Sequence, residues 1–346
     1  ILVGVTACND EPSPDPGDLS HITYSPELYP LSIPKGLPGL SDSILLKITK
    51  QGVQLGRHLF YDAILSSDSS MSCASCHDPH KAFTDNLAIS KGVTGEFGTR
   101  SSMSILNTVY FSKGLFWDGR AINLQAQAIE PVQNPIELHE VWPNVINKLK
   151  RHPVYPEMFR KAFGIGSKEQ ISKELAANAI AQFESILLTG GNSLFQIQLR
   201  GAVFFAAVQQ EGHDLYFNGD ILIPDAECFH CHAAPLMAAD DFFNNGLDSV
   251  NSLDDFLDKG RAEVTKLRFD NGKFKAPSLY NIVLTAPYMH DGRFNTLEEV
   301  IEHYNSGGHY ADNKNGFIRP LGLNPRQKRS LIAFLKTLTD TSFLQN

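Results

Sequence analysis

Two thiols three positions apart, with an imidazole directly behind them, stand at Cys73-Ala74-Ser75-Cys76-His77. Thiols so placed can add to the two vinyl groups of a porphyrin while the histidine ligates its iron, which is the c-type haem attachment chemistry. The pattern recurs at Cys228-Phe229-His230-Cys231-His232. One copy alone could equally be half of a zinc site or a redox dithiol. A four-cysteine zinc site, however, spaces its pairs by about 15–20 residues. Here the pairs are separated by most of a domain, and each carries its own trailing histidine. Two covalent haems are therefore expected, with His77 and His232 on the irons.

The remaining chain must position these motifs. At 346 residues it accommodates two domains of roughly 100–200 residues, one haem apiece. The formal charge of −8 is spread over mixed acidic and basic residues without a long basic run, which argues against nucleic acid and suits a small basic redox protein as partner. No segment reaches the roughly 18 apolar residues of a membrane span. Haem accounts for four of the five cysteines. The fifth, Cys8, ends the run Ile1-Leu2-Val3-Gly4-Val5-Thr6-Ala7, which reads as the tail of a signal sequence entering a lipoprotein cleavage box. Cys8 would then carry a lipid as the only membrane attachment and hold the protein in the periplasm. A stray thiol near a terminus is the plainer alternative. Attachment of haem c independently argues for export to an oxidising compartment.

Residues 9–40 are rich in Pro, Asp, Ser and Gly and read as an extended tether, so that 1–40 form a leader and tether. The segment from Gly52 to Tyr61 has apolar residues at helical spacing and ends shortly before the first haem motif. A similar segment, Glu211 to Phe217, stands at nearly the same distance before the second. This echo predicts two similar units in tandem, 41–195 and 196–346. Ser167-x-x-Gln170 predicts a capping box for a helix through Ile171, Leu175, Ala179, Phe183 and Ile186, stopped by Gly190-Gly191. Thr296-x-x-Glu299 opens a helix with Leu297, Val300, Ile301 and Tyr304 on one face, ended by Gly307-Gly308. Asn324-Pro325 opens the last helix, which packs through Leu331, Leu335 and Leu338 or folds back on the first unit. Convincing alternating strands are scarce. The expected class is mainly α: two tandem cytochrome c-like haem domains with long loops.

The far side of each iron decides between electron carrier and catalyst. Gln127 lies on a short helical run, Asn123 to Glu130, with Leu124 and Ala128, and Pro131 is expected to break that run before Pro135-Ile136-Glu137. By themselves a glutamine on an apolar stripe, a glutamate beside prolines and Trp117 in Phe116-Trp117-Asp118-Gly119-Arg120 read as capped, solvated and core residues.

Longer stretches make the pattern specific. LGRHLFYD at 55–62, SCASCHDP at 72–79, FWDGR at 116–120, AQAIEPVQNPIEL at 126–138, CFHCH at 228–232 and LTAPYMHDGRFNTLEEVIEHYNSGG at 284–308 resemble, in that order, the bacterial dihaem cytochrome c peroxidases of the group that includes MauG. The resemblance covers about residues 41–340. It implies that the N-terminal haem is the peroxidatic one, with Gln127, Glu137 and Pro131 in its distal pocket. Trp117 becomes the bridge between the haems, and the C-terminal haem becomes the electron-transfer one. It also implies a calcium ion between the domains, with Thr285 and the carbonyl of Pro287 among its ligands.

Three departures from the family matter. Many members carry a histidine after the first motif that blocks the peroxidatic iron, but no histidine lies between Lys81 and Arg100, and His80 is too close to His77 to reach the opposite haem face. Where those members place a methionine on the second iron, this chain has Tyr304, as MauG does. The plainer reading of Tyr304 is a core tyrosine. Met289 and Met237 are the competing methionines, the first where the family has an aromatic residue and the second too near His232 to cross the ring. The family's asparagine at the calcium site is here Ser101.

The resemblance implies reduction of hydrogen peroxide to water with electrons from a small cytochrome c or cupredoxin, and it is compatible with a homodimer. Glu137 would carry a proton between the peroxide oxygens, and Gln127 would hold the peroxide. Oxidation of a partner protein's side chains in the manner of MauG is the alternative, although Ala226 stands where MauG has tryptophan and only Trp117 and Trp142 are present. A dihaem electron carrier with both irons saturated is the third reading.

Overall fold

The computed structural model describes residues 17–217 and 224–345; Cys8 lies outside them. Eleven helices are present among the described residues: α1 (Asp42–Leu45), α2 (Lys50–Tyr61), α3 (Leu124–Gln133), α4 (Trp142–Arg151), α5 (Tyr155–Phe163), α6 (Lys173–Ser185), α7 (Leu194–Leu199), α8 (Ala207–Phe217), α9 (Ala262–Thr265), α10 (Leu297–Ser306) and α11 (Pro325–Lys336). Two-residue strands, Phe242–Phe243 and Phe274–Lys275, form the one antiparallel ladder described. No helix among the described residues is long and apolar enough to cross a membrane.

Two apolar cores organise the helices. One is drawn from residues 19–187 together with Phe343, the other from 195–338. α11 packs in the second core, and the short turn after it carries Phe343 back to the first, 5.9 Å from Phe83 between ring centres. The two cores are built by the same device. A Cβ on Gly56 of α2 would overlap the carbonyl oxygen of Ala179 on α6, with Phe183 beside it. A Cβ on Gly212 of α8 would overlap the carbonyl oxygen of Ser330 on α11, with Phe334 beside it. In each unit a bare glycine thus lets the helix before the haem motif touch the backbone of the unit's closing helix.

A second echo joins the units. Ser104-Ile105-Leu106-Asn107 and Ser278-Leu279-Tyr280-Asn281 both end in a fully buried asparagine at φ 63°, a left-handed position that asparagine tolerates better than most residues. The amide of Asn107 donates to the carbonyl of Leu187 beyond α6, and that of Asn281 to Leu338 beyond α11. The Asn107 side-chain oxygen accepts from Thr189 N–H at 2.9 Å, and that of Asn281 from Asp340 N–H at 2.7 Å. Asn281 Nδ2 then donates to Thr189 Oγ1 at 3.0 Å, and Thr189 Oγ1 donates to the Asp340 carbonyl at 2.9 Å. These bonds fasten one unit to the other away from water.

Local structure departs from expectation at three places. The Ser167 box caps a single 3-10 turn, Lys168–Gln170, and α6 starts later under its own cap, Ser172. It also ends at Ser185, before Gly190, because the chain must already turn to meet Asn107. Pro131 lies inside α3 instead of ending it. The ring removes the N–H that would bond the Gln127 carbonyl, yet Asn134 N–H still bonds Glu130 and the helix runs on to Gln133. Residues 17–40 are extended but strapped down: Leu19 N–H bonds the Gly166 carbonyl, Tyr29 N–H bonds Ile48, and the Tyr110 hydroxyl donates to the Pro38 carbonyl.

Helix propensity alone favours Gly→Ala by about 1 kcal/mol, so the sign of the change is informative. Gly56→Ala and Gly212→Ala should each destabilise by about 1–3 kcal/mol through overpacking, read as a lower urea midpoint, while Gly316→Ala, which faces open space, should leave it unchanged. Midpoints at or above wild type for the first two would contradict this packing.

Candidate functional site

The first haem motif forms a one-turn 3-10 helix, Cys73–Ser75, placed by the end of α2 and closed by reciprocal Ser72 and Ser75 hydrogen bonds. The second forms an equivalent turn, Cys228–His230, after α8. Both motifs line one continuous cavity of about 1040 Å³. Its walls also include Gln127, Pro131, Glu137, Trp117, Ser101, Thr285, Pro287 and Tyr304. The cysteines and trailing histidines of both motifs, Gln127, Pro131, Glu137, Trp117, Ser101, Thr285, Pro287, Met289 and Tyr304 therefore all line one space.

Each histidine is set as an iron ligand. His77 Nδ1 lies 2.9 Å from the carbonyl oxygen of Phe83, and His232 Nδ1 lies 3.0 Å from that of Pro277. A carbonyl can only accept, so the proton sits on Nδ1 and the Nε2 lone pair is left for metal. Burial lowers the pKa of both imidazoles, that of His232 to about 4, which keeps them neutral. Burial also raises the Cys73 and Cys228 thiols to about 12 and Cys76 and Cys231 to about 11. The four sulfurs do not converge on one point. Among the described residues the only ligand-like group of three is Asp225, Glu227 and His230, where Glu227 is already paired with Arg319 and His230. Two thiols and one neutral imidazole per motif, facing a large apolar space, fit a covalently held haem at each; a shared zinc ion does not fit.

On the His77 side, Glu137 is held by Asn134 Nδ2, which donates to its Oε1 at 2.7 Å. Burial raises its pKa, opposed by the nearby Arg120 charge and by the Asn134 bond. The Glu137 carbonyl accepts from Val93 N–H, so the loop without a histidine is tied to the pocket wall. Between the halves, Trp117 Nε1 donates to the Ser101 carbonyl at 2.9 Å, and the Trp117 carbonyl accepts from Lys275 N–H at 2.8 Å. The segment is clamped by Arg100, which reaches Asp118 at 2.6 Å and both oxygens of Asp258 at 2.7 Å.

On the His232 side, Asn245 Nδ2 donates to Tyr304 Oη at 3.3 Å and lies 3.4 Å from Met289 Sδ. Burial raises Tyr304 to about 12. Met237 is fully buried in the second core. At the position considered for calcium, Ser101 Oγ donates to the Met289 carbonyl and Thr285 Oγ1 to that of Ile282. Their hydroxyls and the Pro287 carbonyl are three oxygens where calcium takes six to eight, and no step of the chemistry depends on that ion. One titratable wall residue had not been anticipated: Glu184 of α6, 4 % exposed, with Oε2 lacking a hydrogen-bond partner among the described residues. The signal was present as the single acid in the apolar run from Ala176 to Leu188.

Paired CxxCH turns with neutral, carbonyl-anchored histidines on a shared cavity define a helical protein of the c-type dihaem class. The family model described as di-haem cytochrome c peroxidase matches residues 50–203. The chain is 34% identical over 296 residues to the methylamine utilization protein MauG of Methylorubrum extorquens, covering 84% of this chain and 79% of that one. It is 34% identical over 292 residues to the cytochrome c551 peroxidase of Nitrosomonas europaea, covering 83% and 79%. The crystal structure of a MauG-like protein associated with microbial copper homeostasis superposes with a TM-score of 0.82 at 32% identity, covering 91% of this chain and 97% of that one. The chain belongs to the dihaem cytochrome c peroxidase/MauG family of oxidoreductases, which implies two c-type haems.

Removing one cysteine pair should remove one haem. Mass spectrometry of the denatured chain should show a single covalent haem in Cys73→Ala/Cys76→Ala and in Cys228→Ala/Cys231→Ala, and two in wild type; two haems retained in either variant would refute that attachment.

Proposed function

We propose that the protein reduces hydrogen peroxide to water with electrons from a small redox protein, and that Glu137 is its acid–base group. The observation that carries this reading is Glu137 itself, a buried carboxyl fixed by Asn134 in the same half-cavity as His77. Haem iron on His77 would supply the peroxide-binding and redox centre. Glu137 as the carboxylate takes the proton from the inner peroxide oxygen and delivers it to the outer one as the O–O bond breaks. Peroxide, two electrons and two protons give two waters, and Glu137 ends as it began. Gln127 orients the peroxide by a hydrogen bond, and the Pro131 ring adds an apolar surface to the same cavity wall. Trp117, fixed at both its indole N–H and its carbonyl, passes one electron from the His232 half to the His77 half. Tyr304, steadied by Asn245, would ligate a second haem iron, and as a phenolate it would favour the higher oxidation state.

The reading extends to a periplasmic protein anchored by lipid at Cys8 and fed by a cytochrome c or cupredoxin. Oxidation of a partner protein is the second reading, favoured by Tyr304 and by the MauG relatives. Against it, Ala226 is buried and Trp142 is buried with its Nε1 bonded to the Ile129 carbonyl, so neither offers an aromatic step to the surface.

Glu137→Gln should lower peroxide turnover by about 10²–10⁴ with both haems retained, and Gln127→Leu should cost less. Because burial raises the Glu137 pKa above its ordinary value, wild-type turnover should rise with pH as the carboxylate forms. The fully oxidised protein should react with peroxide without prior reduction. Stopped-flow mixing decides: wild-type kinetics in Glu137→Gln would remove it from the chemistry, and a requirement for pre-reduction would show the first iron to be blocked.

A further inference from the structure

Glu184 is a buried carboxyl that peroxide chemistry does not use. It sits on α6 at 4 % exposure, lines the cavity beside Cys73 and Ile180, and its Oε2 meets no hydrogen-bond donor among the described residues. Filling this space does not call for an acid, since leucine or glutamine would fill it without desolvating a charge. An isolated buried carboxylate is costly and is relieved by taking a proton. Burial pushes Glu184 up to about 8, with no charged neighbour contributing. The elements packed on α6 do carry titratable groups: Lys50, Arg57, His58 and Tyr61 on α2, Glu130 on α3, Tyr110 on the turn after Asn107, and Tyr155, Arg160 and a mutually paired Glu157 and Lys161 on α5. Cys73 is the cavity group that registers the Glu184 charge, and it bonds the porphyrin and not the iron.

We propose that Glu184 is the redox-linked proton site of the His77 half of the cavity, taking up one proton when one electron arrives there and releasing it when the electron leaves. Ferric haem carries one net positive charge that ferrous haem lacks, and that charge stabilises a neighbouring carboxylate. An added electron removes it. A proton from water then converts the Glu184 carboxylate to the neutral acid, so one electron from the donor protein and one proton from solvent enter together and the buried charge is unchanged. In a low-dielectric cavity an uncompensated charge is strongly unfavourable. The inference needs only a haem at Cys73, Cys76 and His77, and it holds whether the enzyme consumes peroxide or oxidises a partner.

The test is a spectroelectrochemical titration of the holoprotein at a series of pH values, each haem followed by its own absorption bands. In wild type the reduction equilibrium of the N-terminal haem should weaken up to tenfold per pH unit around the Glu184 transition, about 59 mV per unit for one electron. Glu184→Gln keeps the shape and removes the charge, so it should abolish this slope and hold the potential at the wild-type low-pH level. Glu137→Gln, in the same cavity, should retain the slope. An unaltered slope in Glu184→Gln, its loss in Glu137→Gln instead, or no slope in wild type would overturn the assignment. Should Glu184→Gln not fold, the reduced-minus-oxidised infrared difference spectrum of Glu137→Gln serves. A protonated-carboxyl band should appear on reduction and shift in D2O, and its absence overturns the proposal.

Discussion

Asn281 and Thr189 meet where no water can replace them, and the cavity depends on that meeting. The cavity needs both units, because the His77 motif belongs to the first core and the His232 motif to the second. The hydrogen bonds among Asn107, Thr189, Asn281 and Asp340 are all buried. A lost partner there leaves an unsatisfied buried group at about 1–3 kcal/mol. Apolar packing could hold the units at several neighbouring angles. Directional bonds between four fixed polar groups select one, and with it the spacing between the two histidines.

The internal repeat explains the architecture and, by its failure, the chemistry. Gly56 and Gly212, Phe183 and Phe334, Asn107 and Asn281 are equivalent pairs, as are the turns around Phe116 and Met289, both at positive φ and each spanned by a β-bridge. Such pairs are what a duplicated haem unit requires in each copy. The cavity walls are not paired. Among the described residues, the first unit places Asn134 and Glu137 on the wall and the second places Asn245 and Tyr304 there. One pair is a carboxyl held by an amide and the other a phenol held by an amide, so the two sites differ in the chemistry their walls offer.

Much of this was legible from sequence, for reasons that differ by element. The caps Thr296 and Asn324 announced α10 and α11 because side chain and backbone bond within four residues. The Ser167 box misled because the same local chemistry also closes a single 3-10 turn, and α6 begins under the later serine cap, Ser172. Pro131 misled because its lost bond is tolerated where the flanking bonds persist. The tether assignment failed for residues 17–40 because backbone-to-backbone bonds such as Tyr29 to Ile48 leave no trace in composition. At the site, the thiols, imidazoles and Glu137 were visible as residue types. The acceptors of the histidine protons, the Phe83 and Pro277 carbonyls, were not, since every residue has a carbonyl.

Glu137 and Glu184 bring the argument to a single physical contrast. Both are carboxyls in one cavity and both are raised by burial. Glu137 keeps a donor, Asn134, and the field of Arg120, both of which favour its ionised form, as the proposed proton relay requires. Glu184 has neither, so its charge must follow the largest changing charge nearby. Environments that push two like groups apart assign them different duties. Here the partnered carboxyl is suited to moving a proton across a bond that breaks, and the unpartnered one to balancing the electron that makes the breaking possible.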